Sequence, residues 1–269
     1  MAEDQNGGTI DTSAAEAFEK YLVPPVFGPW SRSLVDLADP KPGERLLDVG
    51  CGTGAAARYA ADRIPEPNAV AAIDLNTGMI AHARTLDPKG AIDWREGDIM
   101  ELPFDDGVFQ TIIGNQVLQF LPDRAGALVE MQRVMTKDGR AIFGVYCQLD
   151  LCPAHCAVAK ALEKHDVDPA GIQHPYSFGD PVILGDVLAD AGFRDVSVVR
   201  RTLGAQFESP KAFVEALAAG GPSARHALDQ LDDEGLSQVI NEVTEALDHY
   251  VDAEGLRVIT ASNVAVGRR

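Results

Sequence analysis

Short apolar runs alternate with stretches of helical period through the first half of the chain. The runs Arg45–Val49, Ala69–Asp74, Ala91–Arg95, Val108–Gly114 and Gly139–Tyr146 are each bounded by turn residues and predict five strands. Gly54–Arg63 and a stretch led by Leu75-Asn76-Thr77 and running through Thr85 predict helices between them. Asp123–Met135 predicts another, with Leu128, Met131, Val134 and Met135 as its apolar residues. Strands alternating with helices of this length predict an α/β fold with a doubly wound, mostly parallel sheet.

The flanking segments follow the same rules. Residues 1–11 are polar and predict a frayed terminus. Thr12-Ser13 predict the cap of a helix through Leu22, and Pro24-Pro25 its end. A second helix starts at Val26 or Pro29 and runs to Ala38. Beyond the fifth strand the pattern predicts a helix over Leu151–His165, a loop over Asp166–Phe178, a helix over Pro181–Ala191 and a sixth strand over Phe193–Arg200. Residues 207–250 read as helical, with Phe213, Leu217, Leu228, Leu231, Val239, Ile240, Val243 and Leu247 on apolar faces. Leu256–Val266 predicts a closing strand.

One stretch organises the rest. Leu46-Leu47-Asp48-Val49-Gly50-Cys51-Gly52-Thr53-Gly54 runs from an apolar strand into three alternate glycines, and a helical pattern opens behind them. Glycines this dense point to a sharp turn whose backbone touches a ligand, in front of a helix N-terminus. The spacing Gly50-x-Gly52-x-x-Ala55 satisfies the dinucleotide fingerprint, and Asp74 ends the next strand, where a ribose-binding acid belongs. A nicotinamide-linked oxidoreductase therefore fits these residues. Asp48 before the first glycine, Gly54 continuing the alternation, and Asp98 after the third strand favour a different adenosyl ligand.

Four stretches in order carry a resemblance to a known family: LLDVGCGTG (46–54), AAIDLNTGMIAHAR (71–84), REGDIMELPFDDGVFQTII (95–113) and NQVLQFLPDRAGALVEMQRVMTKDGR (115–140). Between about Tyr21 and Tyr146 the chain resembles the class I S-adenosylmethionine (SAM)-dependent methyltransferases, near their quinone-methylase-like small-molecule group. The resemblance implies a Rossmann-like, doubly wound seven-stranded sheet with its last strand antiparallel. It implies residues 1–40 as a helical lid, 41–206 as the SAM-binding core, 207–252 as a helical cap insertion and 253–269 as the final core strand. Tyr21, with Phe27 and Trp30, is expected to wall the cofactor or acceptor.

For the cofactor, the resemblance implies that Gly50, Gly52 and Gly54 pass close to its homocysteine part and that Asp48 receives its amino end. Asp74 would accept from both ribose hydroxyls, because a carboxylate offers two acceptor oxygens. Leu75 and Met79 would sandwich the adenine, Asp98 would accept from its amino group, and the Ile99 amide would lie nearby. Asn115 and Gln116 would line the loop beside the methyl group, with Gln119 and Phe120 next to them. The product would be S-adenosylhomocysteine (SAH).

Composition narrows the acceptor. The formal net charge is -18, and no basic patch is visible to meet a phosphate backbone, so nucleic acid is not expected as a partner. A small organic acceptor is. No apolar run is long enough to span a bilayer and no signal-type segment stands at the N-terminus, so a cytoplasmic protein is expected. Four cysteines without disulfide-type spacing fit a reducing compartment.

Methyl transfer from a sulfonium needs positioning more than acid–base chemistry. Candidates for a general base are His155, His174 and Tyr176, in the region after the fifth strand where the acceptor is expected. Cys147, Cys152, His155 and Cys156 also cluster there. Thiols at that density can hold a metalloid, which adds arsenite-type methylation as a minor alternative, although the spacing matches no zinc pattern and no metal is expected. A SAM-binding protein without catalysis is the remaining alternative.

Overall fold

Strands with apolar residues on both faces need helices on both sides, and this requirement shapes the molecule. The structure is a computed structural model that describes residues 10–269; of the terminus expected to fray, residues 1–9 lie outside the described residues. Strand β1 (Leu46–Val49) is buried along its length. It pairs in parallel with β2 (Val70–Asp74), which in turn pairs with β3 (Ile92–Glu96). On its other side lie β4 (Phe109–Asn115) and then β5 (Met135–Tyr146), also parallel. The sheet is completed by β6 (Arg194–Phe207), a two-residue β7 (Val251–Asp252) and β8 (Gly255–Arg268).

The strand order is β3-β2-β1-β4-β5-β8-β6, and β7 folds back on β8. Strand β8 is antiparallel to both neighbours, β5 and β6. The expected sheet with an antiparallel last strand is present, and the short β7 makes it eight-stranded. Strand β6 runs on to Phe207 rather than ending at Arg200, because β8 offers a partner along the whole length, down to the Phe207–Leu256 pair. Strand β5 likewise starts at Met135, ahead of the expected Gly139, with a register shift opposite Phe109 and Thr111.

The helices are α1 (Ser13–Tyr21), α2 (Gly28–Ala38), α3 (Ala55–Arg63), α4 (Thr77–Thr85), α5 (Arg124–Val134), α6 (Pro153–Lys164), α7 (Ala170–Gln173), α8 (Pro181–Asp190), α9 (Pro210–Gly220), α10 (Ala224–Leu228) and α11 (Asp233–Leu247). Side-chain caps start several of them. Asn76 accepts the Met79 N–H at 3.1 Å, Asp123 that of Gly126 at 2.9 Å, and Asp232 that of Gly235 at 2.8 Å. Thr12 does not cap α1. Its hydroxyl donates to Glu16 at 2.6 Å, and Asp11 accepts the Ser13 N–H at 2.9 Å instead.

Pro24-Pro25 do not break the chain as expected. They open a π-helical turn, Val23–Phe27, that joins α1 to α2, and prolines in a first turn forfeit no intrahelical bond. The segment expected as a loop, Asp166–Phe178, contains α7 and a single 3-10 turn at His174–Tyr176.

Two apolar layers flank the sheet. Trp30, Leu34, Val35, Ile64 and Ile80 belong to one, and Phe109, Leu128, Met131, Phe143 and Leu184 to the other. Trp30 is fully buried and donates its indole N–H to Thr260 at 2.9 Å, pinning α2 to β8. Truncating such a side chain costs about 3–5 kcal/mol. Helix α9 packs on α1, and α11 on α6 and α9, so the segment after β6 closes over the leading helices.

Candidate functional site

A cavity of about 470 Å³ opens where the strand order reverses, beyond the carboxyl ends of β1, β2 and β4. Open α/β sheets bind ligands at this switch point, and the volume suits a small-molecule site. Asp48, Gly50, Cys51 and Gly52 follow β1 into the lining, Asp74, Leu75 and Asn76 follow β2, and Asn115 and Gln116 follow β4. Asp98, Ile99 and Met79 complete this side of the cavity.

The three glycines divide their work. Gly50, Gly52 and Gly54 all have positive φ, at 63°, 55° and 82°, which L-residues rarely adopt. Gly50 and Gly52 border the cavity. Gly54 does not: a Cβ there would stand 2.1 Å from the Trp94 ring, so its expected place beside the cofactor is corrected to a packing contact at the start of α3.

Asp74 is held from two sides. It accepts the Gly52 N–H at 2.7 Å on one oxygen and the Asn76 N–H at 2.8 Å on the other. Each oxygen keeps a lone pair for a ligand. Burial raises its pKa, against those two hydrogen bonds. Asp48 is 1% exposed and accepts the Ala57 N–H at 2.9 Å through Oδ2. Its other oxygen has no protein partner among the described residues. Burial pushes Asp48 up to about 7; the Ala57 bond opposes this, and the charge of Asp74 adds to it. Asp98 caps the turn Ile99–Glu101, accepting the Met100 N–H at 2.9 Å, while Leu75 is largely exposed at the rim.

Beyond β4 the chain is strained. Gln116 has φ 61° and is buried, an arrangement that persists only where the surroundings enforce it. Its N–H bonds the Gly144 carbonyl at 2.8 Å, its amide nitrogen donates to Ser262 at 2.9 Å, and its amide oxygen accepts from Gln119 at 3.1 Å. Gln116 therefore lines the cavity with its side chain committed inward, and Gln119 stands behind it, outside the lining. Asn115 donates to Ser31 at 3.1 Å, leaving its buried Oδ1 without a protein partner. Phe120 reaches the cavity.

The far end is aromatic. Tyr146 and Tyr176 stack at 4.9 Å between ring centroids, and His155 lies 5.6 Å from Tyr176 and 5.1 Å from Phe213. Of the three base candidates, His155 and Tyr176 line the cavity. Burial lowers His155 to about 4, so it is neutral near pH 7, and burial raises the Tyr176 phenol. His174 is exposed and absent from the lining, with its ring 6.4 Å from Phe120.

The leading helices present a face only partly the one expected. Of the three aromatics expected as its wall, Phe27 lines the cavity, Tyr21 is 43% exposed and outside it, and Trp30 is core; Phe18, Leu22 and Val26 stand beside Phe27. Phe18 had the right helical spacing as a signal, whereas Ile172 and Pro175 in the segment expected as a loop had none. Cys147 and Cys152 share a small buried cluster with Tyr146 and Tyr176. Cys147 faces Asn263 at 3.3 Å and Cys152 faces the Ala261 carbonyl at 4.0 Å. Among the described residues no three His, Cys, Asp or Glu side chains converge as a metal requires. All four cysteines are free.

This donor set suits SAM. The unpartnered Asp48 oxygen suits an ammonium group, Asp74 suits a diol, and Gly50 and Gly52 admit backbone approach. The antiparallel β8 between β5 and β6 also departs from the β3-β2-β1-β4-β5-β6 order of the dinucleotide fold. Among the described residues no helix is long and apolar enough to cross a membrane.

Comparison with known proteins agrees. A family model described as a methyltransferase domain matches residues 47–143. Demethylmenaquinone methyltransferase of Beutenbergia cavernae is 30% identical over 71% of this chain and 83% of its own length. Aklanonic acid methyltransferase DauC of Streptomyces sp. strain C5 is 34% identical over 53% of this chain, which spans 62% of that relative. A phosphoethanolamine N-methyltransferase of Haemonchus contortus, solved with SAH and with SAM, shares the fold at TM-score 0.62 and 17% identity, over 96% of this chain and 57% of that one. With its fold, its glycine loop and these relatives in agreement, the chain belongs to the class I SAM-dependent methyltransferases, and SAM is its cofactor.

Proposed function

We propose that the protein methylates a small organic acceptor by in-line displacement, with positioning as its main catalytic device. The observation that carries this is the continuity of one cavity, acidic and glycine-lined at the strand ends and aromatic beyond them. The names of the demethylmenaquinone and aklanonic acid relatives support an acceptor of small-molecule kind.

In this reading Asp48 receives the amino end of SAM, Asp74 the ribose hydroxyls, and Asp98 with the Ile99 N–H the adenine edge. Leu75 and Met79 flank the adenine. Gly50 and Gly52 leave room for the homocysteine part, and Asn115 with the strained backbone at Gln116 borders the transferring group. Bound SAM supplies a methyl group activated by the sulfonium charge. The aromatic wall excludes water, and His155, neutral and facing the cavity, takes the acceptor's proton. Residues 10–40 and 207–252 cover the site as lid and cap, on a core of residues 41–206 with 253–269.

The test is calorimetric titration of the purified protein with SAM, SAH and NAD in parallel. Micromolar binding of the two adenosyl ligands without an NAD signal is expected. NAD binding alone, or silence from all three, would overturn the proposal.

A further inference from the structure

Among the described residues the walls of the cavity hold no lysine or arginine, and the carboxylates along it are Asp48, Asp74 and Asp98, all on the glycine-loop side. Arginines close by are committed elsewhere. Arg58 pairs with Glu19 at 2.6 Å, and Arg124 bonds the carbonyls of Leu118 at 3.0 Å and Gln119 at 3.1 Å. An anion entering this space loses its water and meets no cationic side chain among the described residues; the one positive charge near it is the sulfonium of bound SAM, which the transfer itself removes.

Asn115 and Gln116 stand at the strand ends and His155 and Ser223 farther out, and most of the lining beyond the strand ends is apolar or aromatic. Phe18, Phe27, Phe120, Tyr146, Tyr176 and Phe213 gather here, in a chain whose aromatic content is only 6%. Ring surfaces at this density favour a flat partner, by stacking and edge contacts. His155 sits between the Tyr176 and Phe213 rings and makes no hydrogen bond to protein among the described residues. The half-buried imidazole and the buried Tyr176 hydroxyl beside it, also without a protein partner among the described residues, offer a ligand two polar points in this half.

We infer, resting on the methyltransferase reading of the site, that the acceptor is an uncharged, flat, largely apolar molecule whose hydroxyl group meets His155. Phosphorylated, carboxylated and ammonium-bearing acceptors are disfavoured. Cations lack a carboxylate in the aromatic half, because all three acids lie on the other side. The transfer balances simply. The hydroxyl oxygen forms the new bond to the methyl carbon, the carbon–sulfur bond breaks with its electron pair going to sulfur, and the hydroxyl proton leaves by way of His155 to solvent.

The experiment uses the full chain saturated with SAH, whose own binding is recorded first by calorimetry. Naphthol, naphthoate, naphthyl phosphate and naphthylmethylammonium are then titrated as matched probes. Naphthol is expected to bind, with each charged probe weaker by about tenfold or more. Equal or tighter binding of any charged probe, or no naphthol binding beside a normal SAH signal, overturns the inference. A missing SAH signal instead overturns the methyltransferase reading itself and takes the inference with it. In His155→Gln, naphthol affinity should fall while that of methoxynaphthalene holds; equal loss of both removes the hydroxyl from His155.

Discussion

Gly52 donates its backbone N–H to the carboxylate of Asp74 at 2.7 Å, tying the loop after β1 to the end of β2. The bond gives Asp74 two duties. It braces the glycine loop from within, and its remaining lone pairs face the cavity.

Asp74→Ala should therefore weaken SAM binding by about 2 kcal/mol, through lost charge-assisted hydrogen bonds and a looser loop. Calorimetry on the folded variant checks this. Unchanged affinity would remove Asp74 from the site.

Asp48 links binding to pH. Its folded pKa is about 7, above the ordinary 3.8, so between these values the folded state holds a proton that the unfolded chain has released. Stability from this group is full below the lower value and is lost as pH rises toward the upper one. Asp48→Asn should thus stabilise the ligand-free protein above pH 7 by on the order of 4 kcal/mol, while weakening SAM binding. Denaturant unfolding of both proteins at acid and alkaline pH measures the first effect. An equal stability difference at both ends would refute it. In the wild type, binding of the cationic cofactor below pH 7 should release a proton, which calorimetry in buffers of different ionisation heat detects.

Gly54→Ala tests packing against backbone strain. A Cβ there meets Trp94 at 2.1 Å, and Trp94 cannot swing freely because its indole N–H bonds Asp87 at 3.1 Å. Gly43 has a similar φ, 85° against 82°, with nothing within 4 Å of a Cβ. Gly43→Ala should cost about 1 kcal/mol and Gly54→Ala about 2–4 kcal/mol. Equal thermal shifts would show that the ring yields.

His155→Gln should lower turnover by about a hundredfold or more if His155 takes the proton, with SAM affinity unchanged. Its folded pKa of about 4 lies below the ordinary 6.5, so the unfolded chain binds the extra proton between these values. Stability from this group is lost as pH falls through that window, and the variant should lack that acid slope. Single-turnover rates and acid titrations of both proteins decide the two points separately.

Local order carried most of what could be read early. The run Leu46–Val49, the alternate glycines and the acids ending β2 and β3 are neighbours in sequence, so their spacing already states their geometry. Phe213 and Leu217 were legible as an apolar helix face, though not as a wall of the cavity. Tyr21 failed for a different reason. It shares α1 with Phe18, and which face turns inward is set by Gly220, where a Cβ would lie 2.4 Å from the Phe18 nitrogen.

Sequence by itself determined the strands of the parallel half, the cofactor loop and the family, because hydrophobic period and glycine spacing act over a few residues. Only the tertiary structure decided that Gly54 serves Trp94, that Gln116 is fastened to Ser262 across 146 residues, and that His155 rather than His174 faces the cavity. Those outcomes depend on which distant side chains the folded chain brings together, and no local pattern encodes them.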